Sequence, residues 1–277
     1  MVGFGYHPKL RMERRAERAK RLGYVDSTVY MNPIKHGLLE SVTTFYVDNI
    51  NIEGLDNVDH ARELLVAGRR VVFLANHQSN SDTPILTSAL HRTKNGDLAV
   101  KLVNLLGIRL KKLPVVKNFL NAYSYIPVWP PTEIPKNEGE RKQASIMGSN
   151  ATIAMDAVLA KGEILVFYPE ATRSKDGVLQ PVEDRMAMLL FGLGDIHIVP
   201  VSILNAKNIL PKGKFIPKKG DATVKFGEPF RFRDIMAEGV GYKKKTIDEV
   251  MKKIAIMMPE ELRGPYACEL KPSVLTS

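Results

Sequence analysis

Two short runs that are apolar at every position do most to limit what this chain can become. They are Val71-Val72-Phe73-Leu74 and residues 164–168, Ile-Leu-Val-Phe-Tyr. A strand of this kind has no polar side to give to water, so it must be covered on both faces. Helical spacing surrounds the two runs. Residues 59–67 turn Ala61, Leu64, Leu65 and Ala67 to one side before Gly68, and residues 151–161 form a helix closed by Gly162. Residues 186–193 continue the helical pattern, and residues 246–258 place Ile247, Val250, Met251, Ile254, Ala255 and Met258 on one stripe. Strands are also expected at residues 46–52, 69–75, 98–103, 125–128, 197–204 and 223–226. Helices are expected at 33–45, 84–90 and 115–123, and the polar, mixed-charge stretch 131–148 reads as a mobile loop. Strands alternating with helices predict an α/β fold with a mostly parallel central sheet flanked by helices.

Ahead of this pattern lies a basic helical segment. Residues 8–22 carry many Lys and Arg and only Leu10, Met12, Ala16, Ala19 and Leu22 as apolar positions. Such a helix can lie on an anionic membrane surface or stand solvated against the fold. The expected organisation is an N-terminal helical, membrane-surface segment over residues 1–45 and one domain over 46–277. No run approaches the roughly 18 apolar residues needed to span a bilayer. Residues 1–15 lack the apolar core of a secretory signal. Cys268 is the only cysteine, which excludes an internal disulfide and suits a reducing, cytoplasmic setting. The net charge of +10 favours anionic partners. Nucleic acid is not expected among them, because no recognition motif is present and aromatics are not interleaved with the basic runs.

The residues able to do chemistry follow the strands. Asn76-His77-Gln78-Ser79-Asn80-Ser81-Asp82 comes directly after the first apolar run. In open α/β sheets, ligands bind beyond the carboxyl ends of the strands. Asp82 can fix the His77 tautomer and leave the other ring nitrogen to accept a proton from a substrate hydroxyl. The same spacing also fits a loop histidine with Asp82 capping the next helix. Pro169-Glu170-Ala171-Thr172-Arg173-Ser174 follows the second run. Arg173 offers a fork of donors suited to phosphate, and Glu170 can bind a ligand hydroxyl or hold Arg173. Pro200 interrupts the 197–204 strand, which suggests an edge or a bulge, and a wall for an apolar ligand is one reason to tolerate it.

The order NHQSNSD, FYPEATRS, IVPVSI and then VKFGEPF resembles the lysophosphatidic acid and glycerol-3-phosphate acyltransferase family, over residues 50–230. The resemblance implies acyl transfer from acyl-CoA or acyl carrier protein to the hydroxyl of a lysophospholipid or glycerol phosphate. It makes His77 the general base and Asp82 its orienting acid. It makes Asn76, Glu170, Thr172, Arg173 and Pro200 substrate-binding. Arg173 would hold the acceptor phosphate with Glu170 in support. Asn76 and backbone amides opening the next helix would steady the oxyanion. Neither a covalent enzyme intermediate nor a metal or redox cofactor is implied. The expected partners are an anionic membrane surface, the acyl donor and the acceptor, with peripheral attachment.

The chain departs from the family pattern at three points. Ala171 stands where the family has glycine. No arginine lies in residues 122–128, and no lysine accompanies Val182-Glu183-Asp184. Arg185, Lys111, Lys112 and Lys117 are the cations available in their place. A second reading is therefore a lipid-binding protein of the same fold that lost catalysis.

Overall fold

In the computed structural model, the described residues are 17, 21, 23, 25–108, 120–130, 133–214, 216–237 and 241–267. The basic stretch 8–22 lies outside them except for Glu17 and Arg21, as do Lys111, Lys112, Lys117 and Cys268.

The elements alternate in chain order. Helix α1 (Pro33–Tyr46) leads into β1 (Val47–Glu53), α2 (Leu55–Val66), β2 (Val71–Ala75), α3 (Asp82–His91), the short α4 (Gly96–Ala99) and β3 (Leu102–Gly107). Then come β4 (Ser124–Val128), α5 (Glu138–Ala160), β5 (Ile164–Phe167), α6 (Asp184–Gly192) and β6 (His197–Leu204). The short α7 (Ala206–Ile209), β7 (Gly220–Phe226), β8 (Phe230–Arg231) and α8 (Tyr242–Ala255) complete the order. The strands form one sheet in the order β1-β7-β6-β2-β5-β3-β4, with β8 beside β6. Only β7 and β8 run antiparallel to β6, and every other pairing is parallel.

The two apolar runs of the sequence are the adjacent strands β2 and β5, in register from Val72–Leu165 to Leu74–Phe167. Both are fully buried, because each face of the sheet is covered. Val71, Phe73 and Ala75 pack with α2, α3 and α4, whereas Val72 and Leu74 pack with α5, α6 and α8. The parallel arrangement brings the carboxyl ends of β2, β5 and β6 to one edge, and the candidate site is built there.

Three sequence expectations needed correction. The stretch read as a loop over 131–148 is in large part the first half of α5, which begins at Glu138. Its start is a capping arrangement: Asn137 accepts from the Glu140 amide at 2.9 Å, and Glu140 accepts from the Lys136 amide at 2.7 Å. The spacing Asn-x-x-Glu was the available signal. The strand expected at 98–103 starts at Leu102, because Leu98 and Ala99 belong to a helical turn buried under α3. Of the helix expected at 115–123, Leu120–Ala122 form a 3-10 turn and residues 115–119 lie outside the described residues.

Helix α1 is fastened by polar groups. Asn32 caps it, accepting from the Lys35 amide. His36 Nδ1 donates to the Ala122 carbonyl at 3.0 Å, so its Nε2 is the acceptor for His91 Nε2–H at 3.0 Å. Glu40 accepts from Ser88 and Tyr123. Residues 25–46 are thus docked on the sheet-bearing fold, with Val29 bridging to Tyr125.

Candidate active site

Asp82 is the first residue of α3 and is fully buried. Its Oδ2 accepts from the amides of Gln78 and Ser79, both at 2.8 Å. An oxygen that already accepts from two amides is an acceptor for the third contact too. His77 Nδ1 therefore carries the proton and donates to Oδ2 at 2.7 Å. This leaves His77 Nε2 as the ring nitrogen not engaged by Asp82. The sequence left open whether Asp82 capped a helix or oriented the histidine. The structure shows the second arrangement: Oδ2 takes the His77 ring and two amides of the turn ahead of α3, and α3 has no side-chain cap.

The ring of His77 stacks on Tyr168 at a centroid distance of 4.4 Å and 26° between planes. Tyr168 donates to Thr83 Oγ1, which donates to Asn104 Oδ1 at 2.9 Å. Burial pushes the Tyr168 phenol up, so it stays a neutral support. Sequence reasoning passed over this stack. Its signals were Tyr168 closing an apolar run and Asn104 standing alone inside another.

The structure brings His77 and the 170–174 loop together, since β2 and β5 are neighbours. His77 N–H donates to Glu170 Oε1 at 2.6 Å, and Ser174 N–H donates to the His77 carbonyl at 2.8 Å. Glu170 Oε2 accepts from the Gln180 amide at 2.9 Å. Glu170 is 3% exposed and joins two loops through their backbones, with no bond to Arg173. The expectation that it binds a ligand hydroxyl or holds Arg173 gives way to that role. Burial is the main effect on its carboxyl and pushes it up to about 8, against the two amide bonds, which lower it.

Asn76 is also an internal fastening. Its Oδ1 accepts from the Ile203 amide at 2.7 Å, and its Nδ2 donates to the Ile203 carbonyl at 2.9 Å. Both ends of the amide are engaged with β6, and Asn76 does not line the cleft beside His77. Of the amides entering α3, those of Gln78 and Ser79 are engaged on Asp82, and those of Ser81 and Asp82 on Ser79.

Pro200 does not reach the site. It pairs with Leu74 on the face covered by α8, and it lines a separate groove with Gly227 and Met257. Strand β6 is neither an edge nor bulged at this position. Its antiparallel partner changes there from β8, opposite His197 and Ile198, to β7, opposite Val201–Leu204. The Pro200 carbonyl accepts from Gly227 N–H on that side. Gly227 continues the β7 register, so the missing N–H of the proline costs only the reciprocal bond of this last pair, at the end of the β6–β7 ladder.

Ala171 takes the left-handed conformation, with φ of 54°. The turn thus keeps the shape that glycine would adopt freely, at a cost of about 1 kcal/mol for the methyl group. Two residues on, Arg173 is half-buried and has no ion-pair partner among the described residues; burial lowers it and the charge of Asp82 raises it. Thr172 is exposed on the rim. His77, Tyr168, Thr172 and Arg173 line a cleft of about 440 Å³. Asn80, Thr83, Asn104 and Leu106 form its wall and also border a second cavity of about 290 Å³, lined by Leu39, Val42, Tyr46, Tyr125, Ile209 and Leu210 among others. The cleft lined by His77 therefore adjoins an apolar chamber, and the two share these four lining residues. Arg185, on the first turn of α6, is exposed and does not line the cleft.

A sequence model of the acyltransferase family matches residues 49–204, more than half of the chain. The chain belongs to the acyltransferase family. This acyltransferase is 26% identical over 173 residues to a chloroplastic 1-acyl-sn-glycerol-3-phosphate acyltransferase of Arabidopsis thaliana, covering 62% of the chain and 40% of that relative. It is 26% identical over 190 residues to the corresponding chloroplastic enzyme of Brassica napus, covering 68% of the chain and 46% of the relative. It thus spans less than half of the length of these curated relatives. Its fold is similar to the crystal structure of the 1-acyl-sn-glycerophosphate acyltransferase PlsC of Thermotoga maritima, with a TM-score of 0.52 and 18% identity over 89% of this chain and 82% of that one. At that identity the likeness supports the mostly parallel α/β fold.

Two outcomes follow from these fastenings. Asn76→Ala strands the Ile203 amide and carbonyl without partners, which should cost about 2–4 kcal/mol of stability. Urea unfolding measures the loss, and turnover per folded molecule should change little. A carboxyl that stays protonated more easily in the folded chain stabilises the fold below its unfolded value, and this contribution is lost as pH rises through the folded one. For Glu170 that window runs upward from its ordinary 4.5 through about 8. Unfolding free energies at pH 6 and pH 9 should fall more in wild type than in Glu170→Gln.

Proposed function

We propose that this acyltransferase moves a fatty acyl group from a thioester, acyl-CoA or acyl carrier protein, to the hydroxyl of a phosphate-bearing glycerolipid. The leading acceptor is 1-acylglycerol-3-phosphate, with glycerol 3-phosphate second. The observation that carries this reading is the position of His77. Its Nδ1 is locked to Asp82, and its ring lines a cleft that adjoins an apolar chamber.

In this mechanism His77 Nε2 takes the proton as the acceptor hydroxyl oxygen attacks the thioester carbonyl carbon. The tetrahedral intermediate collapses with cleavage of the C–S bond, and the imidazolium returns the proton to the departing thiolate. An ester and a free thiol result, and no enzyme-bound acyl group is formed. Buried Asp82 stabilises the imidazolium while it exists. The acyl chain has an apolar place to go beside Leu39, Val42 and Tyr46 of α1. An intact His77–Asp82 pair favours catalysis over simple lipid binding.

Membrane attachment follows from α1. One side of this helix closes the apolar cavity, whereas Ile34, Leu38 and Phe45 are 76%, 56% and 61% exposed. These positions repeat at helical spacing, with Lys214, Lys218 and Lys219 on the neighbouring segment between α7 and β7. No helix among the described residues is long and apolar enough to cross a membrane. An apolar stripe with lysines near it suits peripheral binding to an anionic bilayer.

With labelled acyl-CoA and 1-acylglycerol-3-phosphate, His77→Ala should lower kcat by about 10²–10⁴-fold while the protein stays folded. Equal transfer by wild type and variant would remove His77 from the mechanism. In vesicle flotation, the double variant Leu38→Glu, Phe45→Glu should leave phosphatidylglycerol-rich liposomes that wild type binds.

A further inference from the structure

A lysine far along the chain is tied to the loop that carries Arg173. Lys212 lies in the segment between α7 and β7, beyond the residues matched by the family. Its Nζ donates to the Arg173 carbonyl at 2.6 Å and to Thr172 Oγ1 at 3.2 Å. Both of these residues line the His77 cleft. The segment is fastened to the two loops of the site. Ser79 Oγ donates to the Leu210 carbonyl at 2.6 Å, and Lys207 donates to the Asp176 carbonyl.

The charges gathered here lack a counter-ion. Arg173 and Lys175 both act on Lys212, and with burial as the leading cause they lower its ammonium below the usual lysine value. Among the described residues, no carboxylate forms an ion pair with Arg173, Lys175 or Lys212. Asp82 acts on Arg173 through space but forms no ion pair with it; Asp82 Oδ2 holds His77 and two amides, and Oδ1 is buried without a hydrogen-bond partner among the described residues. Like charges held together without an anion repel, and a phosphate dianion relieves that repulsion. Two of the three Lys212 N–H donors are tied to the loop, which aims the ammonium and leaves the third for a phosphate oxygen.

We infer that Lys212, beside Arg173, forms the subsite for the acceptor phosphate and sets the preference for phosphate-bearing acceptors. It takes the place of the cations absent from residues 122–128 and 182–184. The inference rests on the acyl-transfer reading for its substrate and on the Thr172–Arg173 contacts for its geometry.

Lys212→Gln keeps a donor for the Arg173 carbonyl and removes the charge, whereas Lys212→Arg keeps the charge. Calorimetric titration with glycerol 3-phosphate and steady-state transfer to 1-acylglycerol-3-phosphate and to monoacylglycerol separate the cases. Lys212→Gln should raise both the Kd for glycerol 3-phosphate and the KM for 1-acylglycerol-3-phosphate about tenfold, with kcat near that of wild type. Lys212→Arg should restore most of the loss. Transfer to monoacylglycerol, which has no phosphate, should be the same in all three proteins. Wild-type Kd and KM in Lys212→Gln would overturn the assignment, as would an equal loss on both acceptors or no binding of glycerol 3-phosphate by wild type. If wild type binds glycerol 3-phosphate but transfers acyl groups to neither acceptor, the acyl-transfer reading falls and the titration alone decides the subsite.

Discussion

Asp82 Oδ2 accepts three hydrogen bonds at a point fully removed from solvent. Burying a carboxylate is costly unless donors replace the water it loses. Two of the donors are backbone amides of the turn that joins β2 to α3, and the third is the ring of His77. The charge, the turn and the tautomer are therefore one arrangement, and none can change without the others. Because the turn begins where β2 ends, the position of His77 depends in the end on where the sheet stops.

That edge is held by polar groups placed among apolar strands. Asn76 joins β2 to β6 through both atoms of its amide, and Glu170 joins the end of β2 to the loop reaching Gln180. Each is nearly fully buried, and each makes paired bonds with backbone groups that would otherwise be unsatisfied. Residues expected to touch substrate turn out to hold the floor beneath it. His77 and Arg173 are left lining the cleft, and the Lys212 ammonium, from another segment, is tied to the loop that carries Arg173. The division has a physical logic. Rigid, satisfied groups keep a few unsatisfied ones aimed at a shared space, so the ordering cost is met in folding rather than in binding.

The legibility of the chain varied with how local each cause was. Strands β2 and β5 could be read because an all-apolar run has few other uses, and helix α8 because its stripe repeats over three turns. The start of α5 was less visible, since Gly139 and Gly148 and a polar composition masked an Asn137–Glu140 cap. The strand expected at 98–103 was placed too early because Leu98 and Ala99 are buried whether helical or extended. Pro200 misled for another reason. The tolerance of a proline depends on what lies beside the strand, and at that point β8 gives way to β7.

By itself, the sequence determined the α/β class, the place of His77 and Asp82 just past a buried strand and the presence of Arg173 after a second one. Each follows from residues within a few positions of one another, where backbone geometry leaves little choice. Tertiary structure decided the roles that depend on distant partners. It turned Asn76 toward Ile203 and Glu170 toward two backbones, and it put Pro200 on the far face. It also carried Lys212 across 39 positions to the carbonyl of Arg173. Hydrogen-bonding groups on a side chain can serve the fold or the ligand. Which they serve is settled only when packing shows what stands opposite them.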